Sequence, residues 1–191
     1  VVHSHMVHAN IFTRLLRIST YMRKLICTAH SSNEGGRGRM LAYRVTDGLC
    51  DLSTNVSQKA VDAFIAQGAV PAKRMVAMPN GIDTLRFIFN PASRASLRAQ
   101  LKLTDNTPLI LAVGRLTEAK DYPNLLTAFN QLPSELNHVQ LAIIGIGEEQ
   151  ANIETFAAQL GLTTRVHFLG LQRNVHEWMS AADIFVLSSA W

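Results

Sequence analysis

Cysteine is scarce in this sequence, and Cys27 and Cys50 are the only two among 191 residues. Two cysteines do not form a disulfide framework, and without neighbouring His–Cys clusters they do not form a zinc site. No apolar run approaches the roughly 20 residues that span a bilayer, and no signal peptide is visible at the N-terminus. We therefore expect a cytoplasmic protein with two buried thiols.

Several motifs of nucleotide-binding proteins and hydrolases are also missing, among them the Walker A loop and GxSxG. Gly145 and Gly147 form a GxG, but the third position of the dinucleotide fingerprint is Gln150, and no acid follows at about 20 residues. A nicotinamide dehydrogenase is therefore disfavoured. Two interpretations of the glycines remain: a backbone that comes close to a phosphate or a sugar, or a tight turn between strand and helix.

Charge is unevenly distributed along the chain. Residues 1–92 hold 11 Lys/Arg against 5 Asp/Glu, a balance of +6, whereas residues 93–191 hold 7 against 9, a balance of −2. A basic first half suits a membrane surface, a nucleic acid or an anionic acceptor, although an ordinary basic surface would have the same composition. Because aromatic residues are not interleaved with the cations, nucleic acid ranks last.

The clearest strand signal is the apolar run Leu109–Val113, which lies between Pro108 and a glycine. An unbroken run of this length predicts a strand buried on both faces of a parallel sheet. Arg115 and Lys120 follow its carboxyl end, where open α/β sheets bind ligands. Two cations at this place suit a phosphorylated ligand, unless they are solvated loop charges.

Apolar periodicity predicts alternating strands and helices on both sides of this run. The predicted strands are Val1–His5, Leu25–Ala29, Leu52–Thr54, Met75–Met78, Leu109–Val113, Val139–Ile144, Val166–Leu169 and Ile184–Leu187, and the first of them is expected to be the end of a buried strand. The predicted helices include Ala9–Arg23, with Ile11, Leu15, Ile18 and Met22 on one face, Met40–Leu49 after a basic loop at residues 35–39, a helix capped by Ser57, and Ala92–Leu101. This alternation predicts parallel, doubly wound sheets, with a domain junction between Ile82 and Thr107.

Three histidines, His3, His5 and His8, cluster after the first predicted strand, and His30 ends the next one. They have no supporting carboxylate nearby, so we do not expect a metal site. A histidine at the carboxyl end of a strand is suited to a polar contact with substrate. His5 and His30 are the candidates, and His30 is assigned to the acceptor.

Five motifs, taken together and in this order, resemble the retaining glycosyltransferases of the family 4 type, also called glycosyl transferases group 1. They are Val76–Asp83 with Phe87, Val113–Leu116 with Lys120, Ile144–Gly147 with Glu148, Phe168–Gly170, and Ala181–Ser188. The resemblance covers nearly the whole chain. It implies the GT-B fold, in which two Rossmann-like domains face each other across a cleft.

The resemblance also implies roles for particular residues. Residues 1–92 would be the C-terminal part of the acceptor-binding domain plus a linker, and residues 93–191 the first part of the nucleotide-sugar-binding domain. Arg115 and Lys120 would contact the donor diphosphate, and His5, with His3 as the alternative alignment, would be the catalytic histidine. The nucleotide would lie along Gly145, Gly147, Leu171 and Gln172.

The implied reaction transfers a sugar from a nucleotide-sugar donor to a lipid-linked or saccharide acceptor, with retention, in bacterial polysaccharide or glycolipid synthesis. The resemblance implies no metal or other cofactor. We also expect peripheral contact with a membrane. The family's glycine-rich loop is not in this sequence, and its paired glutamates would begin just after Trp191, so we expect an inactive fragment with both domains incomplete. Asp121 also replaces a frequent glycine. A non-catalytic nucleotide-sugar-binding module and a nucleotide-sugar epimerase remain alternatives.

Overall fold

The computed structural model describes residues 1–32 and 34–190 and divides the chain into two compact units, Val1–Ile82 and Asp83–Trp191. The junction between the units lies inside the segment predicted from the sequence, ten residues before the boundary at position 92. Each unit has one four-stranded sheet in which all pairings are parallel. The predicted α/β class with two parallel sheets is confirmed.

The first unit has strand order β1-β2-β3-β4. Its elements are β1 Val2–His5, α1 Val7–Leu16, β2 Leu25–Ala29, α2 Arg37–Thr46, a 3₁₀ turn Asp47–Leu49, β3 Leu52–Asn55, α3 Gln58–Ala66, a 3₁₀ turn Ala72–Arg74, and β4 Met75–Ala77. As predicted, the Ser57 side chain caps α3, accepting a hydrogen bond from the Ala60 N–H.

The second unit has strand order β7-β6-β5-β8. Its elements are α4 Pro91–Gln100, β5 Leu109–Val113, a 3₁₀ turn Glu118–Lys120, α5 Tyr122–Asn130, a 3₁₀ turn Ser134–Leu136, β6 Gln140–Ile144, α6 Gln150–Gln159, β7 Val166–Phe168, α7 Val175–Ala181 and β8 Ile184–Val186. Leu109 and Leu111 pack in one core cluster with α4 and α7, whereas Ala112 packs in another with α5 and α6. Helices thus cover both faces of this sheet.

The prediction for the first helix was wrong in its extent and in its buried face. The helix ends at Leu16 rather than Arg23, and Leu15 and Ile18, expected in the core, are 49% and 71% exposed. Its fully buried residues include two polar ones, Asn10 and Arg14. Apolar periodicity alone cannot locate the inward face of a helix when polar side chains make up much of that face, and this explains the error.

Buried hydrogen bonds compensate for the free-energy cost of burying these polar side chains. Asn10 donates to the Thr28 carbonyl and to the Tyr43 hydroxyl, both at 2.9 Å, and Arg14 donates to the Ser53 hydroxyl at 2.7 Å. Burial raises the pKa of Tyr43 to about 12, so the phenol stays neutral and can donate as well as accept. Paired in this way, the polar groups fix how α1 packs on the sheet.

Two further predictions in the first unit need correction. The segment Gly35–Arg39, expected to be a loop, contributes Arg37–Arg39 to the first turn of α2. The first strand, expected to be buried, has only Ser4 fully buried, because β1 is at the edge of its sheet among the described residues.

Cys27 and Cys50 are free thiols in one small buried cluster with Leu25. The interaction between the two neighbouring thiols lowers the pKa of Cys27 and raises that of Cys50, and burial raises the pKa of Cys50 further. Their exposed fractions are 1% and 2%, which confirms the prediction of two buried thiols.

Asp183 holds the amino end of the second sheet. Its carboxylate accepts from the Leu109 N–H at 2.7 Å and forms ion pairs with Arg94 at 2.7 Å and Arg98 at 3.3 Å. The Arg98 side chain is 1% exposed. Burial acts to raise the pKa of Asp183, but the hydrogen bonds and the two guanidinium charges outweigh it, so the pKa is lowered.

Replacing Asp183 with asparagine will lower the free energy of unfolding by about 2 kcal/mol at pH 7, because it leaves the buried Arg98 charge uncompensated. Since the folded-state pKa is lowered, the carboxylate stabilises the fold above its ordinary pKa of 3.8, and this stabilisation disappears as the pH falls below that value. Urea denaturation should show the gap between the two proteins narrowing from pH 7 to pH 3. If the difference in free energy of unfolding stayed constant with pH, the stabilising role of the Asp183 carboxylate would be contradicted.

Candidate functional site

The carboxyl edge of the second sheet brings together the residues predicted to bind the donor. Backbone hydrogen bonds join three loops that follow adjacent strands: Gly114 N–H to Ile144 O at 3.0 Å, Leu116 N–H to Ile146 O at 3.0 Å, and Gly145 N–H to Gly170 O at 2.9 Å. The predicted residues in these loops are Arg115, Lys120, Gly145, Gly147, Leu171 and Gln172. We call this set of loops the carboxyl edge.

Arg115 and Lys120 supply the positive charge of this edge. The Arg115 side chain is exposed, and it has no ion pair or hydrogen bond within residues 1–32 and 34–190. Lys120 is half-buried as a residue, and its ammonium donates to the Ser189 hydroxyl at 3.2 Å in an exposed hydrogen bond. Among the described residues neither cation is paired with a carboxylate, so both charges are available to an anion.

Gly145 and Gly147 permit close contact between two loops of the protein itself. A Cβ atom at Gly145, whose φ is +149°, would lie 1.8 Å from the Gly114 carbonyl oxygen. A Cβ atom at Gly147 would lie 2.2 Å from the Leu116 carbonyl oxygen. The packing of the β6–α6 turn on the Gly114–Leu116 segment thus accounts for both glycines without a ligand, and their contact with a nucleotide remains a prediction.

Leu171 and Gln172 lie in the loop that follows β7. Leu171 is 67% exposed, whereas the Gln172 side chain folds back and donates to the Leu169 carbonyl at 2.7 Å. The Gln172 amide therefore stabilises the loop, and this leaves the backbone and Leu171 as the surfaces that face outward.

The histidines lie at the carboxyl ends of β1 and β2 in the first unit. His5 Nδ1 and His30 Nε2 are 3.1 Å apart, and both side chains are exposed. His3 Nε2 lies 2.7 Å from the Thr28 hydroxyl, which in turn is 2.6 Å from that of Thr54. His3 is therefore part of a polar ladder across the sheet, and its ring also lies against that of His5, with centroids 4.2 Å apart. His3, His5 and His30 thus form one continuous cluster of imidazoles.

Within the described part of the chain, no group of three or more His, Cys, Asp or Glu side chains is arranged to hold a metal ion. No described helix is both long enough and apolar enough to cross a bilayer.

Family models match both units. The model described as "Glycosyl transferases group 1" matches residues 93–191, and the model described as "Glycosyltransferase Family 4" matches residues 1–86. The first of these covers more than half of the chain. The chain belongs to the glycosyl transferases group 1 family.

Curated relatives of this group 1 chain match between about half and two thirds of its length. The lipopolysaccharide core biosynthesis glycosyltransferase LpsE of Rhizobium meliloti is 36% identical over 93 residues, which are 49% of this chain and 26% of that protein. A GDP-mannose-dependent phosphatidylinositol monomannoside mannosyltransferase of Mycobacterium tuberculosis is 31% identical over 132 residues, 69% of this chain and 34% of that protein. The matched stretch thus spans about a quarter to a third of these relatives.

Solved structures show the same fold at lower identity. Anabaena HepE in complex with UDP aligns with a TM-score of 0.82 and 23% identity, over 100% of this chain and 54% of that one. Sucrose-phosphate synthase from Thermosynechococcus elongatus aligns with a TM-score of 0.81 and 22% identity, over 99% and 50%. These likenesses confirm that the group 1 chain has the GT-B type of architecture.

Ser188 and Ser189 of this group 1 chain were not among the predicted site residues, although Ser188 ends one of the family motifs. Both follow β8, which pairs with β5 in the sheet, and both hydrogen-bond to Lys120. The rule that ligands bind at the carboxyl ends of parallel strands could have indicated them, because β8 was predicted as a strand. The order of the strands, which brings β8 next to β5, was not available from the sequence.

Proposed function

We propose that the protein transfers a sugar from a nucleotide-sugar donor to an acceptor hydroxyl, with retention at the anomeric carbon. The observation that carries this proposal is the pair of cations, Arg115 and Lys120, which have no carboxylate partner at the carboxyl edge. When the glycosidic bond to the diphosphate breaks, negative charge grows on the leaving nucleoside diphosphate. Two cations next to that charge would lower the barrier by electrostatic stabilisation.

The known proteins support a nucleotide-sugar donor. Anabaena HepE has been solved with UDP-glucose, aligning at 24% identity with a TM-score of 0.80, and the mycobacterial relative is named as GDP-mannose-dependent. In our proposal the nucleotide lies along Leu171 and Gln172, with Gly145 and Gly147 beneath it. Retention is proposed on the resemblance of the ordered motifs alone.

The proposal gives the two paired histidines separate ligands. His5 contacts the transferred sugar near the reacting carbon, and His30 contacts the acceptor, which is a lipid-linked molecule or a saccharide. Imidazole side chains suit these contacts, because their ring nitrogens can form hydrogen bonds with hydroxyl groups. No step needs a metal ion in this mechanism, so chelators should leave the rate unchanged.

A donor panel tests the proposal. The full-length protein is incubated with UDP- and GDP-sugars and a lipid-linked or saccharide acceptor, and released nucleoside diphosphate is measured. We expect release that depends on the acceptor, with a product whose anomeric configuration, read by NMR, matches that of the donor. Binding without release would instead favour the non-catalytic module, and a changed sugar still attached to its nucleotide would favour the epimerase.

We further infer that the first unit meets an anionic membrane surface, at the cytoplasmic face, where a lipid-linked acceptor would be held. Helix α2 has an exposed stripe in which Arg37 and Arg44 alternate with Leu41 and Val45. Arginine and aliphatic side chains on one helix face suit the interface between lipid headgroups and acyl chains.

Changing Arg37 and Arg44 together to glutamate should reduce co-sedimentation with anionic liposomes by at least about tenfold at low salt, since each basic residue near such a surface contributes about 1 kcal/mol. The matched control changes Lys59 and Lys73, which are also exposed in the first unit, to glutamate. If both double variants lost the same amount of co-sedimentation, the effect would come from net charge and not from the α2 stripe.

A further inference from the structure

The segment after β8 contacts Lys120 at several points. The Ser188 hydroxyl donates to the Lys120 carbonyl at 2.7 Å, and the Ser189 hydroxyl accepts from the Lys120 ammonium at 3.2 Å. The Ala190 N–H also donates to the Ala119 carbonyl at 3.1 Å. One backbone bond and two serine hydroxyls therefore attach the 3₁₀ turn that carries Lys120 to the end of a neighbouring strand.

The stem of Lys120 is confined on its other side. A Cβ atom at Gly114 would lie 3.5 Å from Lys120 Cδ and Cε, so the stem passes the side of Gly114 where a side chain would otherwise lie. The Tyr122 hydroxyl donates to the Gly114 carbonyl at 3.2 Å and holds that backbone in place. The lysine thus runs between the end of β5 and the end of β8, with its ammonium at the Ser189 hydroxyl.

A lysine without such restraints would lose much rotamer freedom when it binds an anion. Ordering a long flexible side chain costs up to about 2 kcal/mol. An ammonium has three N–H donors, so Lys120 can keep its bond to Ser189 and still donate to phosphate oxygens. A restrained lysine therefore binds an anion more tightly than a free one with the same charge.

We propose that Ser188 and Ser189 are positioning residues for the donor site: Ser188 fixes the backbone of Lys120, and Ser189 holds its ammonium where the diphosphate of the donor binds. This inference rests on the proposed function, because it assumes that Lys120 meets the diphosphate. Neither serine needs to touch the nucleotide, and their effect on binding passes through Lys120.

The first test measures the restraint on Lys120 without a ligand. Limited acylation of the full-length protein with acetic anhydride, followed by mass spectrometry, compares Lys120 with the exposed Lys102 in the same unit. Ser189→Ala should raise the labelling rate of Lys120 about twofold or more relative to Lys102, because a bond that covers and restrains the ammonium is lost. Ser189→Thr, which keeps a hydroxyl, should restore the rate. An unchanged rate overturns the positioning role.

The second test is a double-mutant cycle on the affinity for UDP and GDP, measured by calorimetry. Ser188→Ala and Ser189→Ala should each weaken binding about fivefold, the effect of one lost hydrogen bond. In a Lys120→Ala background neither change should weaken binding further. Equal effects in both backgrounds would show that the serines act on the loop as a whole, and would overturn the proposal.

The two tests separate this inference from the proposed function. If acylation of Lys120 responds to Ser189→Ala but Lys120→Ala leaves the affinity for both nucleotides unchanged, the serines restrain the lysine but the diphosphate assignment fails. If Lys120→Ala weakens binding while the serine variants change neither labelling nor affinity, the diphosphate assignment stands and the positioning role is wrong.

Discussion

Replacing Arg115 or Lys120 with alanine will weaken the binding of UDP or GDP by about ten- to a hundredfold. Each change removes a charge-assisted hydrogen bond to the diphosphate, worth about 1.5–3 kcal/mol. Because neither cation has a carboxylate partner in the described residues, no compensating charge is left unpaired, and the fold should keep its stability. Calorimetry on the full-length protein measures the affinity, and urea denaturation measures the stability.

The matched control for this prediction is Lys102→Gln. Lys102 is exposed in the same unit but lies between α4 and β5, at the amino end of the sheet. Lys102→Gln removes the same unit of charge away from the carboxyl edge, so a loss of binding that reflects net charge alone would appear in this variant as well. Raising the salt concentration should weaken binding to the parent protein more than to Arg115→Ala. If the affinity for UDP and GDP were unchanged in both alanine variants, the proposal that Arg115 and Lys120 bind the diphosphate would be wrong.

The second large effect is expected at Gly145. A single methyl group there will destabilise the second unit by at least about 3 kcal/mol, because it combines a left-handed backbone with overpacking against a backbone oxygen. The Cβ would lie 1.8 Å from the Gly114 carbonyl oxygen, so two loops must separate to accommodate it. Chemical denaturation of Gly145→Ala, followed by circular dichroism, measures this loss.

The variant Gly161→Ala separates the cost of the backbone conformation from the cost of overpacking. Gly161 also has a positive φ, +71°, but nothing lies within 4 Å of the Cβ that a substitution would add. Its cost should therefore be that of the backbone conformation alone, about 1 kcal/mol. Equal losses at Gly145 and Gly161 would mean that the β6–α6 turn relaxes freely, and that its glycines are not needed for close packing.

The second unit was predicted well because its strands follow simple rules. The run Leu109–Val113 was predicted with the same bounds as β5. A short unbroken apolar segment between turn residues is typical of a buried strand in a parallel sheet. Its neighbour β6 was predicted within one residue. From these strands the position of Arg115 and Lys120 at the carboxyl edge followed directly.

The first unit was predicted less well because part of its core is polar. Asn10 and Arg14 are buried in α1 through partners that are distant in sequence, among them Thr28 and Ser53. Pairings of this kind depend on the tertiary fold, so a pattern based on apolar spacing assigns the wrong helix face. The same limit applies to the carboxyl edge, where the contacts of Ser188 with Lys120 depend on the strand order.

The positions of the two cysteines allow the opening rate of the first unit to be measured on the unmodified chain. Both thiols are in the first unit and almost fully covered, whereas residues 83–191 have no cysteine. A thiol-reactive dye can therefore label the native protein only when the sheet around Cys27 and Cys50 opens. The labelling rate under native conditions will report the opening of one half of the chain alone, without any engineered label.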